Sequence, residues 1–371
     1  MKHLQLLQQL ARLELSEQQA KNLVPELSVL QDWAGFLRQA ELYAISGLIL
    51  KHVRQHDLPI PSGSLLALKA LGLRHRAAAG ARYLLMQDLC AAFATNDIPF
   101  IALKGFALAP VIYPEVGLRP MRDIDILVPR HKEQLAATTL RQIGFDLPEE
   151  QPTKFMRDSH QLPNATKKVK GFIISVEIHH DALSRDVPDS LFYEQVFSLT
   201  QIVKWRELEF DMLGHEQMLH QVTRHLEGLH PGAVLKLINV MDVVLYSEQF
   251  IDEIDWRLIK NKYSHVINAL KCLHLIHPLS EKLQTTINGK QLAQSELSGV
   301  GSIMQPLSQI FSKRRSYSEQ FSLLFAPSDW WLHLYYNVDP DRSLWWVKFL
   351  RHPFTIIIWL GKRLFSRILG G

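Results

Sequence analysis

The chain has 371 residues, 47% hydrophobic and 21% charged, a globular composition long enough for more than one sizeable core. Its two cysteines, Cys90 and Cys272, lie far apart without metal-type spacing, which argues against a disulfide scaffold or a cysteine-based zinc site and fits a reducing, cytoplasmic setting. The net charge of +4 is uneven: six basic residues and no acid follow Asp341, and taking those six from 41 leaves 35 against 37 acidic residues, so the main body lacks the basic excess of a nucleic-acid binder.

The opening "MKHLQLLQQLARLEL" has polar residues within its apolar pattern and reads as an amphipathic helix, not a signal peptide. Residues 1–95 read as helical throughout. Ser16 with Gln19 fits a capping box before the run Gln19 to Leu30. Pro59, Pro61 and Gly63 in "HDLPIPSGS" interrupt the pattern, and Leu65 to Thr95 resumes it. From Asp97 the texture changes. "IPFIALKG", Ile98 to Gly105, reads as a buried strand and a turn, "FALAPVIYP" as a short helix closed by Pro114, and "DIDILV", Asp123 to Val128, as a second strand. "RHKEQLAATTLRQIGF" is an amphipathic helix ending near Gly144. "TKFMRDSHQL" and "GFIISVEIHH" read as two more strands joined by a polar loop. This order implies a mixed sheet with helices on one face. Beyond Phe192 the pattern reads as helical again, through "HEQMLHQVTRHLEGL", "LKLINVMDVVLYSEQF" and "DWRLIKNKYSHVINALKCLHLI", with Asp255 as an N-cap.

Asp123 and Asp125 sit two apart on the second strand, so both project from one face. Two carboxylates this close repel, and a positive group is needed to keep both ionised. A divalent metal supplies it; Mg²⁺ takes one or two carboxylates plus substrate phosphates. Glu177, in the apolar strand "FIISVEIHH", offers a third carboxylate, with Ser175 and His179 on its face. Two acids on one strand and a third on a neighbour form the ligand set of a two-metal phosphoryl-transfer site. The competing reading pairs one Asp with Arg119 or Arg122 and leaves the other at a solvated strand end. The turn at Lys104-Gly105 leads into a helix N-terminus whose backbone N–H groups suit phosphate, and Lys104, Arg119 and Arg122 are candidate cationic contacts.

These elements, "LKG", "R…DIDILV" and "VEIHH", resemble the nucleotidyltransferase superfamily with the DNA polymerase β-like palm, and more closely a bacterial family of uncharacterised nucleotidyltransferases. "LHQVTRHLEG…LKLINVMDVVL" and "IDWRLI" resemble that family's helical C-terminal half, so the likeness runs from about Ile98 to Lys260. It implies an α+β, mixed fold: a nucleotidyltransferase palm flanked by N- and C-terminal helical segments. It also implies metal-dependent transfer of an NMP group from an NTP, with Mg²⁺ or Mn²⁺ on Asp123, Asp125 and Glu177. Read from the residues themselves, the nucleotide-binding candidates are Lys104, Gly105, Arg119, Arg122 and His179, the last alternatively a support for the ligands, a general base or a packed histidine. The superfamily's usual Gly-Ser turn is Lys-Gly here, its third acid is more often Asp than Glu, and Gly105 to Asp123 spans 18 residues. Those departures motivate a second reading, a catalytically weak or inactive nucleotide-binding module serving as partner in a biosynthetic or surface-polysaccharide system. The expected partners are an NTP and an acceptor that is a protein or a small molecule rather than nucleic acid.

The expected organisation is a helical subdomain over 1–95, the palm over 96–190, a helical domain over 191–341 and a basic, aromatic tail over 342–371. His220 and His225 are five apart and so do not form the i, i+4 zinc pair of a metalloprotease; they are candidates for lining the cleft. Lys236 and Asp242 read as salt-bridged or solvated. The tail "WWVKFLRHPFTIIIWLGKRLFSRILGG" has an apolar run far short of a bilayer span. Its two readings are a helix docked on the body and an interfacial helix in peripheral contact with a membrane.

Overall fold

In the computed structural model, the two short apolar runs on either side of the Lys104-Gly105 turn pair with each other near the middle of a six-stranded sheet. The structure describes residues 2–148, 161–183, 190–227, 235–292, 316, 318, 321, 324–325 and 327–369. The strands are β1 (Ile101–Ala102), β2 (Asp123–Leu127), β3 (Ala165–Val169), β4 (Phe172–His179), β5 (Gln201–Trp205) and β6 (Leu208–Met212), in the order β3-β4-β2-β1-β6-β5. Parallel pairs β2/β4 and β1/β6 alternate with antiparallel pairs β3/β4, β1/β2 and β5/β6, so the sheet is mixed.

Period-two burial explains how the centre holds. Ile124 and Ile126 of β2 and Ile174, Val176 and Ile178 of β4 are buried on one face, which leaves Asp123, Asp125, Ser175, Glu177 and His179 on the other. Five helices precede the sheet: α1 (Lys2–Leu10), α2 (Glu17–Ser28), α3 (Trp33–Leu42), α4 (Ser46–His56) and the 34-residue α5 (Ser62–Thr95). Both halves of the capping box at Ser16 and Gln19 are formed. Helix α6 (Lys104–Ile112) links β1 to β2, and α7 (Glu133–Gln142) follows β2, ending as Gly144 turns to φ +88°. A short α8 (Tyr193–Val196) precedes β5. Among the described residues, helices α9 (His215–Glu227), α10 (Leu237–Gln249), α11 (Trp256–Lys262), α12 (Ser264–Leu273), α13 (Glu281–Asn288), α14 (Asp329–Tyr335) and α15 (His352–Leu369) follow. One continuous buried cluster reaches from Leu4 to Leu334, so the leading helices, the sheet and the later helices share a core.

Four readings from sequence are corrected. The stretch read as a polar loop before "GFIISVEIHH" is β3, hairpinned to β4 through Lys170 and Gly171, both at positive φ. The stretch after Phe192, read as helical, contains the hairpin β5–β6, whose turn uses Arg206 at φ +57°. The single helix read over "DWRLIKNKYSHVINALKCLHLI" is two helices meeting at Tyr263, although Asp255 does cap the first by accepting from the N–H groups of Arg257 and Leu258. Helix α5 resumes at Ser62 rather than Leu65, so Gly63 lies inside it. The strand read over "TKFMRDSHQL" falls mostly on residues 153–160, outside the described residues.

Candidate active site

The parallel register of β2 and β4 sets Asp123 opposite Ser175, Asp125 opposite Glu177, and Leu127 opposite His179. Asp125 is the hub. Lys104 Nζ donates to its Oδ1 at 2.7 Å, and His179 Nε2 lies 2.9 Å from the same oxygen. That His179 nitrogen is also 3.6 Å from Glu177 Oε2. Glu177 is held from outside by two amides: Gln161 Nε2 donates to Oε2 at 3.2 Å, and Asn164 Nδ2 donates to Oε1 at 2.9 Å.

The turn that delivers Lys104 is built tightly. The Leu103 N–H donates to the Asp125 carbonyl, and Lys104 adopts φ +47°, a left-handed conformation uncommon for a side chain of its size. Its own N–H donates to Gln221 Oε1 on α9, and Gln221 Nε2 donates to the Ala182 carbonyl. Gly105 is required by the next contact: a Cβ there would lie 1.9 Å from Arg119 Nη1. Arg119 is buried, with Nε and Nη2 committed to Asp242 of α10 at 2.5–3.2 Å, and the Tyr113 hydroxyl donates to the same carboxylate at 2.8 Å. The pair of Arg119 and Asp242, 123 residues apart, thus fixes the guanidinium behind the turn.

Electrostatics separates the two aspartates. Burial opposes ionisation of Asp125, but Lys104 and then His179 overcome it and hold its pKa well below the usual carboxylate range. Nearby His179 leads in lowering the pKa of Glu177, against the effect of burial. Asp123 goes the other way: burial first, then the charges of Asp125 and Glu177, push its pKa up. It makes no ion pair with any described residue, so the missing positive charge of this face is at Asp123. Lys104 is raised because the pull of Asp125 exceeds the cost of burial.

The other sequence candidates divide. Arg122 is exposed and lines a cleft with Lys236. His180 turns to the opposite face and meets Glu133 of α7 at 3.1 Å. His225 is exposed yet crowded by protein, and that crowding, followed by the Lys104 charge, lowers its pKa. His220 is a core residue, stacked on Tyr263 and 3.1 Å from His265. Gln161 and Asn164 were not singled out in the sequence, because an amide at long separation leaves no periodic signal; Asp242, read as salt-bridged or solvated, is the buried partner of Arg119.

Ligand atoms of Asp125, Glu177 and His179 lie within 4.8 Å of one another, the one such group among the described residues. Ser175 Oγ, beside Asp123, is buried without a hydrogen-bond partner. Carboxylate and hydroxyl oxygens with a single imidazole suit Mg²⁺ or Mn²⁺, so the residues present fit such an ion.

A mixed sheet bearing three acids on one face, next to a strand–turn–helix with a glycine, places the protein in the class of nucleotidyltransferases. More particularly, the family model described as "Uncharacterised nucleotidyltransferase" matches residues 30–283, and the chain belongs to that family. No curated protein matches the sequence. Two solved structures show a shallow likeness. One, described as the crystal structure of ANT(2")-Ia in complex with adenylyl-2"-tobramycin, is 12% identical over 46% of this chain and 91% of its own, with a TM-score of 0.33. The other, a solution structure of the antibiotic-resistance factor ANT(2'')-Ia, is 13% identical over 53% of this chain and 98% of its own, with a TM-score of 0.34.

Proposed function

We propose that this nucleotidyltransferase moves an NMP group from an NTP to an acceptor hydroxyl, with Asp123, Asp125 and Glu177 as ligands of Mg²⁺ or Mn²⁺. The observation that carries the reading is Asp123: a partly buried carboxylate beside two others, raised in pKa and without a cation of its own. A bound divalent ion supplies that charge and screens the triphosphate. The chain's own groups do the rest. His179 holds the Asp125 carboxylate in one orientation, Gln161 and Asn164 hold Glu177, and Lys104 offers a cation at the mouth of the turn. Gly105 lets the turn lie against Arg119, leaving the start of α6 close to where phosphates would sit. Titration calorimetry with each NTP, with and without Mg²⁺, tests this reading. Wild-type protein should bind an NTP only with metal, and Asp125→Asn should lose that binding. Metal-independent binding that survives in Asp125→Asn would leave only the binding-module reading.

The tail carries a separate proposal, contact with an anionic lipid surface. Leu344, Val347, His352 and Ile356 are buried, so one side of this segment docks on the body. The other side keeps Trp345, Trp346, Phe349, Leu350, Phe354, Ile357 and Ile358 exposed. Lys348 and Arg351 flank them, and Lys362, Arg363 and Arg367 follow in sequence with no acid. Aromatic and aliphatic side chains bordered by cations are the composition of an interfacial helix. Among the described residues no helix is long and apolar enough to cross a membrane. Flotation of the full chain with phosphatidylserine-containing vesicles should carry it upward, and the variant Trp346→Ser/Phe349→Ser/Phe354→Ser should stay below. Equal behaviour of the two proteins would remove this proposal.

A further inference from the structure

Beyond Asp123, a cleft of about 680 Å³ opens between α3, α5, the segment Arg119–Arg122, the start of β4 and Lys236. Its charged lining is nearly all of one sign. Glu41 is the only acid among the described lining residues, and it is already engaged: Arg74 and His75 both pair with it, and the Ser46 hydroxyl donates to it at 2.8 Å. Arg119 is committed to Asp242. That leaves Arg38, Arg82, Arg122 and Lys236. None of the four forms an ion pair with a described residue. Arg82 donates through Nη2 to the Met121 carbonyl, while its Nε is buried without a partner. Lys236 has its pKa lowered by burial first and by Arg122 next, the mark of a cation crowded by another cation. The remaining wall is apolar, formed by Leu42, Ala78, Ala79 and Phe172.

Four cations without an ion pair among the described residues, balanced only by the charge of Asp123 that reaches Arg82 and Lys236, repel one another unless an anion enters, and a concave cationic wall concentrates anions. A polyamine would be repelled by the same wall. The apolar side fits carbon rather than a second charged group.

We propose that this cleft is the acceptor subsite and that the acceptor is an organic phosphate. Its phosphate lies on Arg38, Arg82, Arg122 and Lys236, its carbon skeleton on the apolar wall, and its hydroxyl points to the carboxylates at Asp123. The proposal rests on the nucleotidyl-transfer reading of that site. In the transfer, the acceptor oxygen forms a bond to the α-phosphorus and the bond from the α-phosphorus to the bridging oxygen breaks. Pyrophosphate leaves with the electron pair, and the hydroxyl proton passes to a carboxylate of the site and on to water.

The triphosphate of the NTP shares the same chemistry, and a competition experiment separates the two sources. Glucose 1-phosphate is titrated calorimetrically into the full chain, alone and saturated with Mg²⁺ and a non-hydrolysable NTP, with glucose as the uncharged control. The expected result is binding of glucose 1-phosphate in both states and no binding of glucose. In Arg38→Gln/Lys236→Gln, affinity for glucose 1-phosphate should fall at least tenfold while that for the Mg²⁺-nucleotide stays within twofold, at unchanged circular dichroism. Lys236→Gln alone serves if the double variant unfolds. Displacement of glucose 1-phosphate by the nucleotide would overturn the proposal, because the triphosphate would then own the cleft. So would glucose 1-phosphate binding no better than glucose while the nucleotide binds normally. Failure of the Mg²⁺-nucleotide to bind at all would instead strike the nucleotidyl-transfer reading.

Discussion

Asp123 and Asp125 share a strand face but not a fate. Asp125 has Lys104 and His179 on one oxygen, whereas Asp123 forms no ion pair with a described residue and feels Asp125 and Glu177 more strongly than Lys104. Replacing Asp123 should therefore relieve repulsion as it removes function. Asp123→Asn is expected to melt at the same temperature as wild type or slightly above it, while NMP transfer drops by roughly 100- to 1000-fold, the scale of losing one preorganised charge. Calorimetric melting and product formation on the same samples check both halves; a clear fall in melting temperature would show that Asp123 is a structural acid. The acids were legible in the sequence because period two in an apolar run has few other readings, and Glu177 was legible for the same reason. Arg119 was not: nothing local marks that its partner is Asp242, so its guanidinium looked available for phosphate.

At the scale of elements, the buried pair between Arg119 and Asp242 ties the segment before β2 to α10, and Gly105 lets the turn pass over it. Breaking one member strands the other charge. Asp242→Leu should cost on the order of 3–5 kcal/mol in denaturant unfolding, and Arg119→Met/Asp242→Leu should recover most of it. If the double variant is as unstable as the single one, packing rather than stranded charge dominates. Gly105→Ala, which pushes a methyl group into Arg119, should lower stability by about 1–3 kcal/mol and weaken nucleotide binding with it. The hairpins show where element reading from sequence fails. In β5–β6, Val203, Trp205, Leu208, Phe210 and Met212 alternate as a half-buried ribbon should, but the turn at Arg206-Glu207 has no glycine or asparagine to announce it. In β3, Lys167 and Lys168 mask a strand whose register only β4 supplies.

Over the whole molecule, charge and burial set the pH response. His52 and His277 are surrounded by core, and burial lowers the pKa of each to about 4 from an ordinary 6.5. Between those values the unfolded chain binds protons that the folded chain refuses, so their stabilising contribution is present above pH 6.5 and lost as pH falls toward 4. Each can contribute a slope of up to about 1.4 kcal/mol per pH unit in that window. Urea midpoints should fall steadily from pH 6.5 to 4.5, and His52→Gln, whose amide can still reach the Arg12 carbonyl, should flatten the slope. A midpoint independent of pH across that window would contradict the assignment.

The central claim is that the carboxylate face transfers the α-phosphoryl group with its nucleoside. The direct measurement is incubation of the full chain with α-labelled or γ-labelled NTPs, Mg²⁺ and the small-molecule and protein fractions of a lysate. The α-label should become attached to an acceptor with release of an equal amount of pyrophosphate, chelator should abolish transfer, and Asp125→Asn should show none. Attachment of the γ-label instead, or α-label transfer undiminished in Asp125→Asn, would contradict the account.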